Sequence, residues 1–187
     1  MKYDYIIKAV QRLKRRYKTN DIYELCRRMK IILSEVPMGT GKNAVKGFYI
    51  RNARKKVITV NSDLPEIVRR YIIAHELGHA VLHENGGISC FQDVAMYDVS
   101  SLMEKEANLF AAEILMEDAE VLLLLGESRD FYYTASLLEV PPEFLEFKFR
   151  MMRQKGYALP EAPITARSNF LKAVPIPEDC PIDFREK

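Results

Sequence analysis

Residues 75–83 read His75-Glu-Leu-Gly-His-Ala-Val-Leu-His83 and contain all three histidines of the 187-residue chain. His75 and His79 stand four apart, and positions i and i+4 project from one face of a helix, so both imidazoles can reach one metal ion. Glu76 lies about 100° round the helix from His75. From there its carboxylate meets a water on the metal rather than the metal itself. The His-Glu-x-x-His spacing therefore predicts a helix that carries two metal ligands and a general base. A helix with a merely solvated polar face is the plainer reading, and these residue types at this spacing make it the weaker one.

Working outward, Asn61-Ser62-Asp63-Leu64-Pro65-Glu66 holds helix-start residues, with Pro65 near the first turn. The helix should run from there to about His83, with Ile67, Tyr71, Ala74, Gly78 and Val81 as its apolar stripe and the histidines beside it, at the border of the core. Gly78 in mid-helix costs about 1 kcal/mol relative to Ala. Something should need the space, either a neighbouring strand or the helix that brings a further ligand. Before the metal helix, Ile31-Ile32-Leu33 reads as a short buried strand. Val45–Ile50 and Val57–Val60 read as a hairpin across the basic turn Arg51-Asn-Ala-Arg-Lys-Lys56. Gly39-Thr-Gly41-Lys42 is no phosphate loop, because Val36 and Asn43 stand where that pattern needs Gly and Ser or Thr. It reads as a surface loop.

The first thirty residues form two helices. Ile6, Val10, Leu13 and Tyr17 make one apolar stripe, and Ile22, Leu25, Cys26 and Met29 make the next, which Thr19-Asn20-Asp21 caps. Downstream of the metal helix, Glu84–Ser101 reads as a long loop. A helix starts at Leu102 with Ala107, Phe110, Ala111, Ile114 and Leu115 at helical spacing; Val121–Leu125 follows and Gly126 stops it. Residues 133–155 suggest two helices divided at Pro141-Pro142. The final thirty residues, rich in proline, read as a tail or wrapping arm that the metal site does not need.

Composition bounds the class. With 48% hydrophobic and 29% charged residues the chain is an ordinary globular one. It has no apolar run near the roughly 20 residues of a membrane span. The N-terminus lacks a signal-peptide pattern, and Cys26, Cys90 and Cys180 are isolated, so a cytoplasmic protein without disulfides is expected. Residues 1–30 carry ten Lys/Arg against three acids, and residues 101–146 carry eleven acids against two basic residues. The bland reading is that these segments neutralise each other in the fold.

Catalytic zinc usually takes three protein ligands and keeps a fourth position open. A third histidine six residues after His79 is absent, since Asn85 stands there. His83 is four residues past His79, but three successive i+4 positions climb about 12 Å along the axis, too far to meet one ion. His83 is expected behind the ligands, touching one of them or packing. The other arrangement puts a Glu on a separate downstream helix, with a polar residue four places on to orient a histidine. Glu104 and Glu106 compete for that place, about 200° apart on the helix. Glu104 shares a face with Ala107, Asn108 and Ala111, so it is favoured, with Asn108 as the orienting residue and Glu106 as the alternative.

These two stretches, His75-Glu-Leu-Gly-His-Ala-Val-Leu-His83 and Glu104-Lys-Glu-Ala-Asn-Leu-Phe-Ala-Ala-Glu-Ile-Leu-Met116, with the lead-in Val57-Ile-Thr-Val-Asn-Ser-Asp-Leu-Pro65, resemble the ImmA/IrrE family of bacterial and phage metallopeptidases. The resemblance covers about residues 20–120. Family members often have Pro soon after the Leu-Met, where this chain has Glu117-Asp118. The resemblance implies a zincin-like fold and cleavage of a helix-turn-helix repressor that controls a mobile element or a stress response. The pattern of elements implies an α+β class, mostly helical, with a small mixed or antiparallel sheet before the metal helix. The expected organisation is a metallopeptidase domain over 1–126, including the basic helices of 1–30, a helical pair over 127–156, and the Pro-rich arm over 157–187.

The expected chemistry is zinc-dependent peptide hydrolysis, with His75, His79 and Glu104 as ligands and Glu76 as the base; Mn²⁺ or Fe²⁺ are possible substitutes for Zn²⁺. The hairpin strand before the metal helix is the expected rail for an extended substrate. Two rivals use the same scaffold without cutting. One is an anti-repressor that only binds. The other is a DNA-binding regulator reading through residues 134–155, against which Glu143 and Glu146 speak because they would face phosphates.

Overall fold

The computed structural model describes residues 3–40, 44–52, 55–83, 97–128 and 130–170. Two N-terminal helices, α1 (Asp4–Tyr17) and α2 (Ile22–Arg28), lead into strand β1 (Ile31–Val36). Strands β2 (Gly47–Asn52) and β3 (Lys55–Asn61) precede α3 (Glu66–Leu82), which carries the His-Glu-x-x-His stretch. Then come α4 (Tyr97–Leu115), α5 (Asp118–Ser128), α6 (Phe131–Leu137) and α7 (Pro142–Gln154). The fold is α+β and mostly helical, as its sequence pattern predicts.

The sheet is mixed, in the order β1-β3-β2. β1 runs parallel to β3, and β2 pairs with β3 as an antiparallel hairpin, Tyr49 opposite Ile58. The pairing extends the expected strands to Asn52 and Lys55, leaving fewer residues between them than the six expected in the basic turn. β1 departs further from expectation. It runs to Val36 and lies at an edge, so Ile31 is buried but Ile32 is half exposed. An apolar triplet reads as buried, yet alternate side chains of an edge strand face water. β3 is the central strand, and Ile58, Thr59, Val60 and Asn61 are all buried.

Asp21 caps α2 as expected, its Oδ1 accepting the Tyr23 N–H at 2.8 Å. The polar residues before α3 do different work. Pro65 is the N-cap and no side chain caps the helix. Asn61 instead accepts the Met38 N–H and donates to the carbonyls of Gly39 and Val45, while Asp63 accepts the Gly39 N–H at 2.7 Å. These bonds fold the loop after β1 back against the start of α3.

α3 is buried all round from Tyr71 to Ala80, because the sheet covers one side and α4 another. The stripe expected along one face thus understates its burial. α4 begins at Tyr97, so residues 97–101, expected in a loop, belong to a helix; the rest of that loop lies outside the described residues. α4 packs against α1, α3 and α7, and its small residues Ala107, Ala111 and Ala112 are fully buried. α5 runs through Gly126, which therefore does not stop it. A Cβ there would meet nothing within 4 Å. After α7, Phe170 is buried against Phe144 and Phe147, so part of the Pro-rich arm seals the core.

α7 carries two buried charged residues, Glu146 and Lys148. Lys148 donates to Glu113 at 2.9 Å and reaches Asp118 at 2.7 Å, and Lys155 joins the same two acids. Breaking one partner out of a buried ionic cluster typically costs about 3–5 kcal/mol. Burial alone would raise the Asp118 pKa, but hydrogen bonds from Lys148 and Lys155 outweigh it and hold the group below its ordinary 3.8. A depressed carboxylate pKa stabilises the fold above the unfolded value and loses that contribution as pH falls through the folded one. Asp118→Asn is therefore expected to unfold at lower denaturant concentration than wild type at pH 7. The gap between the two should close as pH drops below 3.8, which urea titrations at pH 7, 4 and 3 measure.

Candidate metal centre

Gly78 sets the geometry. A Cβ built on it would lie 3.0 Å from Ala107 Cα, 3.1 Å from Ala107 O and 3.2 Å from Phe110 Cδ1. The helix that needs the space is α4. This contact between backbones places Glu104, one turn before Ala107, opposite His75 and His79.

His75 Nε2 and His79 Nε2 stand 3.1 Å apart, and the Glu104 carboxylate reaches each at 3.4 Å. Donors bound about 2.05 Å from one zinc ion in a tetrahedron lie roughly 3.3 Å from one another. The three groups match that spacing, and among the described residues they form a cluster whose donor atoms all lie within 4.8 Å. The electrostatics suit a cation as well. Burial would raise the Glu104 pKa, but hydrogen bonds from the two histidines hold it well below the carboxylate range. Burial keeps His79 below its ordinary pKa. In His75 burial pushes the same way, yet Glu104 and Glu76 outweigh it and raise the value. The space between the three groups thus favours one positive charge. The donor set of two imidazoles and one carboxylate fits zinc.

Each imidazole is held from behind. His75 Nδ1 lies 2.8 Å from Asn108 Oδ1, and the Asn108 amide donates to the Ser168 carbonyl at 2.7 Å. Asn108 is where the i+4 argument puts it. The Ser168 carbonyl had no sequence signal, and it links the arm after Gly156, which the site is not expected to need, to the residue behind His75. His79 Nδ1 faces His83 Nδ1 at 3.2 Å, on the side away from the cluster. Glu106 points at His83 instead of the cluster, at 2.8 Å.

Glu76 is buried at the end of the cluster nearest β2. Its pKa is pushed up to about 7, chiefly by burial and further by the Glu104 charge, against the pull of His75 and of a hydrogen bond from the Tyr49 N–H. The register explains that bond. Asn61 N–H donates to Lys46 O, so bonded pairs alternate and Gly47, Tyr49 and Arg51 turn their backbone away from β3. β2 is thus the outer strand beside Glu76, whereas the strand immediately before the metal helix is paired on both sides.

Residues 26–150 match peptidase family M78, described as an IrrE N-terminal-like domain. The chain belongs to this family. It is 37% identical over 116 residues to Uncharacterized immunity region protein 2 of Bacillus phage phi105, a match spanning 62% of this chain and 71% of that one. It is also 29% identical over 110 residues to Metallopeptidase ImmA of Bacillus subtilis (strain 168), spanning 58% of this chain and 62% of that relative, less than two thirds of its length. Family membership implies a metal ion, and His75, His79 and Glu104 are the residues whose geometry could hold one. No helix among the described residues is long and apolar enough to cross a membrane.

The Gly78 contact yields a direct test. Ala is the better helix former by about 1 kcal/mol. Its Cβ would press on the backbone of Ala107, which cannot rotate away, and overpacking of this kind costs about 1–3 kcal/mol. Gly78→Ala is expected to lower stability in chemical denaturation. A stabilised variant would show that the two helices part easily.

Proposed function

We propose that this chain is a cytoplasmic zinc-dependent endopeptidase that cuts a helix-turn-helix repressor. The observation that carries the reading is the trio His75, His79 and Glu104 at zinc-ligand spacing, with the buried Glu76 carboxylate beside it. Bound zinc supplies an acidified water and polarises the peptide carbonyl. Glu76 would take a proton from the attacking water on a carboxylate oxygen and deliver it to the leaving amine. The Tyr49 N–H holds the carboxylate in place. β2, the sheet edge beside Glu76, is the strand along which an extended substrate segment would align, which brings its peptide bond alongside Glu76. The repressor as substrate follows from the family resemblance, and a relative named for a phage immunity region accords with it.

His79→Ala and Glu104→Ala should each lose the metal that purified wild type carries in one-to-one ratio, as metal analysis by mass spectrometry would show. Full retention in either variant removes that residue from the ligand set.

Glu76→Gln should keep fold and metal but lower peptide hydrolysis by about 10²–10⁴-fold, the usual contribution of a general base. Co-expression with a helix-turn-helix repressor encoded nearby separates the readings. A peptidase leaves a repressor fragment with wild type alone. A binding antagonist relieves repression with both proteins and leaves no fragment. A DNA-binding regulator is retained on duplex DNA whether or not Glu76 is present, and release steepens with salt.

A further inference from the structure

Glu106 is the acid that the ligand cluster leaves over, yet it is mostly buried beside it. Its side chain is 16% exposed and His83 is 10% exposed. Glu106 Oε2 lies 2.8 Å from His83 Nε2, and His83 Nδ1 lies 3.2 Å from His79 Nδ1. The far end of this chain is fixed by α1. The Tyr5 hydroxyl hydrogen-bonds the Glu106 carboxylate, and the Lys105 ammonium sits 5.9 Å from the centre of the Tyr3 ring.

Hydrogen placement along the chain has one solution compatible with metal binding. If His79 offers its Nε2 lone pair, its hydrogen resides on Nδ1 and must be donated. The acceptor is His83 Nδ1, which must then be bare, so the His83 hydrogen resides on Nε2. That hydrogen needs an acceptor of its own, and Glu106 is there. Were His83 to turn an Nδ1–H toward His79, His79 Nδ1 would become the acceptor and its hydrogen would move to Nε2, where it blocks the ligating lone pair. We propose that Glu106 is a positioning residue, which, acting through His83, holds His79 in the tautomer that leaves Nε2 free for the metal. The proposal rests on His75, His79 and Glu104 being the ligands. It gives Glu106 a role that a buried acid two residues from a ligand would otherwise lack, and it makes α1 part of the support of the site.

The test measures zinc affinity of the full-length protein by competition with a chelating dye. Glu106→Ala and His83→Phe should each weaken zinc binding by about 10–100-fold, the range seen when a partner behind a ligand is lost. Glu106→Gln should restore most of it, because its amide oxygen still accepts from His83 Nε2–H. The double variant His83→Phe/Glu106→Ala should bind zinc no worse than His83→Phe alone, because Glu106 acts only through His83. If His83→Phe fails to fold, judged by circular dichroism, His83→Gln replaces it. Nitrogen NMR of the imidazole rings in zinc-loaded protein should show His79 as the Nδ1–H tautomer and His83 as the Nε2–H tautomer, with the His83 assignment lost in Glu106→Ala. Unchanged affinity in Glu106→Ala, or additive losses in the double variant, overturns the proposal while leaving the ligand trio intact. A wild type that binds no zinc, or a Glu104→Ala that binds it fully, overturns the ligand assignment and this proposal with it.

Discussion

The contact between Gly78 and Ala107 is the constraint from which the site follows. Two helices that touch backbone to backbone have their relative rotation and rise fixed more tightly than helices separated by large side chains. The buried alanines at 107, 111 and 112 keep the approach possible along α4, and Gly78 makes it possible on α3. One turn toward the N-terminus from this contact on each helix lie His75 and Glu104. Their meeting therefore needs no flexible loop, which suits a site whose groups must stand within a few tenths of an ångström of a metal's demands. The cost is a glycine in the middle of a helix, about 1 kcal/mol against Ala, offset by the tight packing of the helices.

Around that contact, the polar groups of the site are paired in two directions. Toward the cluster, the imidazoles face Glu104. Away from it, His75 leads through Asn108 to the Ser168 carbonyl, and His79 leads through His83 to Glu106. A buried polar atom without a partner costs about 1–3 kcal/mol, so these chains are needed for folding as well as for orientation. Their outer ends are supplied by the segment after α7 and by α1. Regions remote in sequence from the His-Glu-x-x-His stretch thus hold it in place, and the Phe170 ring seated on Phe144 and Phe147 anchors the first of them.

What the sequence discloses is what helical periodicity dictates. The positions of His75, Glu76 and His79 on one turn, Glu104 and Asn108 on another, and the demand that Gly78 meet a close neighbour all follow from spacing along a single helix. What stays hidden depends on partners far along the chain. Ile31-Ile32-Leu33 looks buried, but whether a strand is central or at an edge is decided by β3, 25 residues later. Gly126 looks like a helix stop, yet in open space its missing side chain decides nothing and α5 runs on. Lys148 sits at a position that propensity assigns to solvent; only the carboxylates of Glu113 and Asp118, on other elements, make its burial tolerable. Glu106 was legible as a rival ligand but not as the partner of His83, because that pairing depends on how α3 and α4 cross.

The uneven charge of the chain takes on a different meaning in the fold. Among the pairs between described residues, Lys14–Glu117 joins the acids of residues 101–146 to the basic N-terminus. Glu104 and Glu106 face histidines, Glu113 and Asp118 hold Lys148 and Lys155, and Glu146 pairs with Arg150. Five of the eleven acids are thus engaged with the histidines and with α7, while Glu117, Glu120, Glu127, Asp130 and Glu139 are exposed. Lys8, Arg12, Arg15 and Arg16 remain exposed on α1, the same helix whose first turn steadies Glu106. The helix that supports the site from behind therefore keeps a solvated basic face, while its apolar face is fixed in the core by Ile6, Ile7, Val10 and Leu13. The division of labour on α1 follows from its periodicity: one side is held by burial, and the other is left to water.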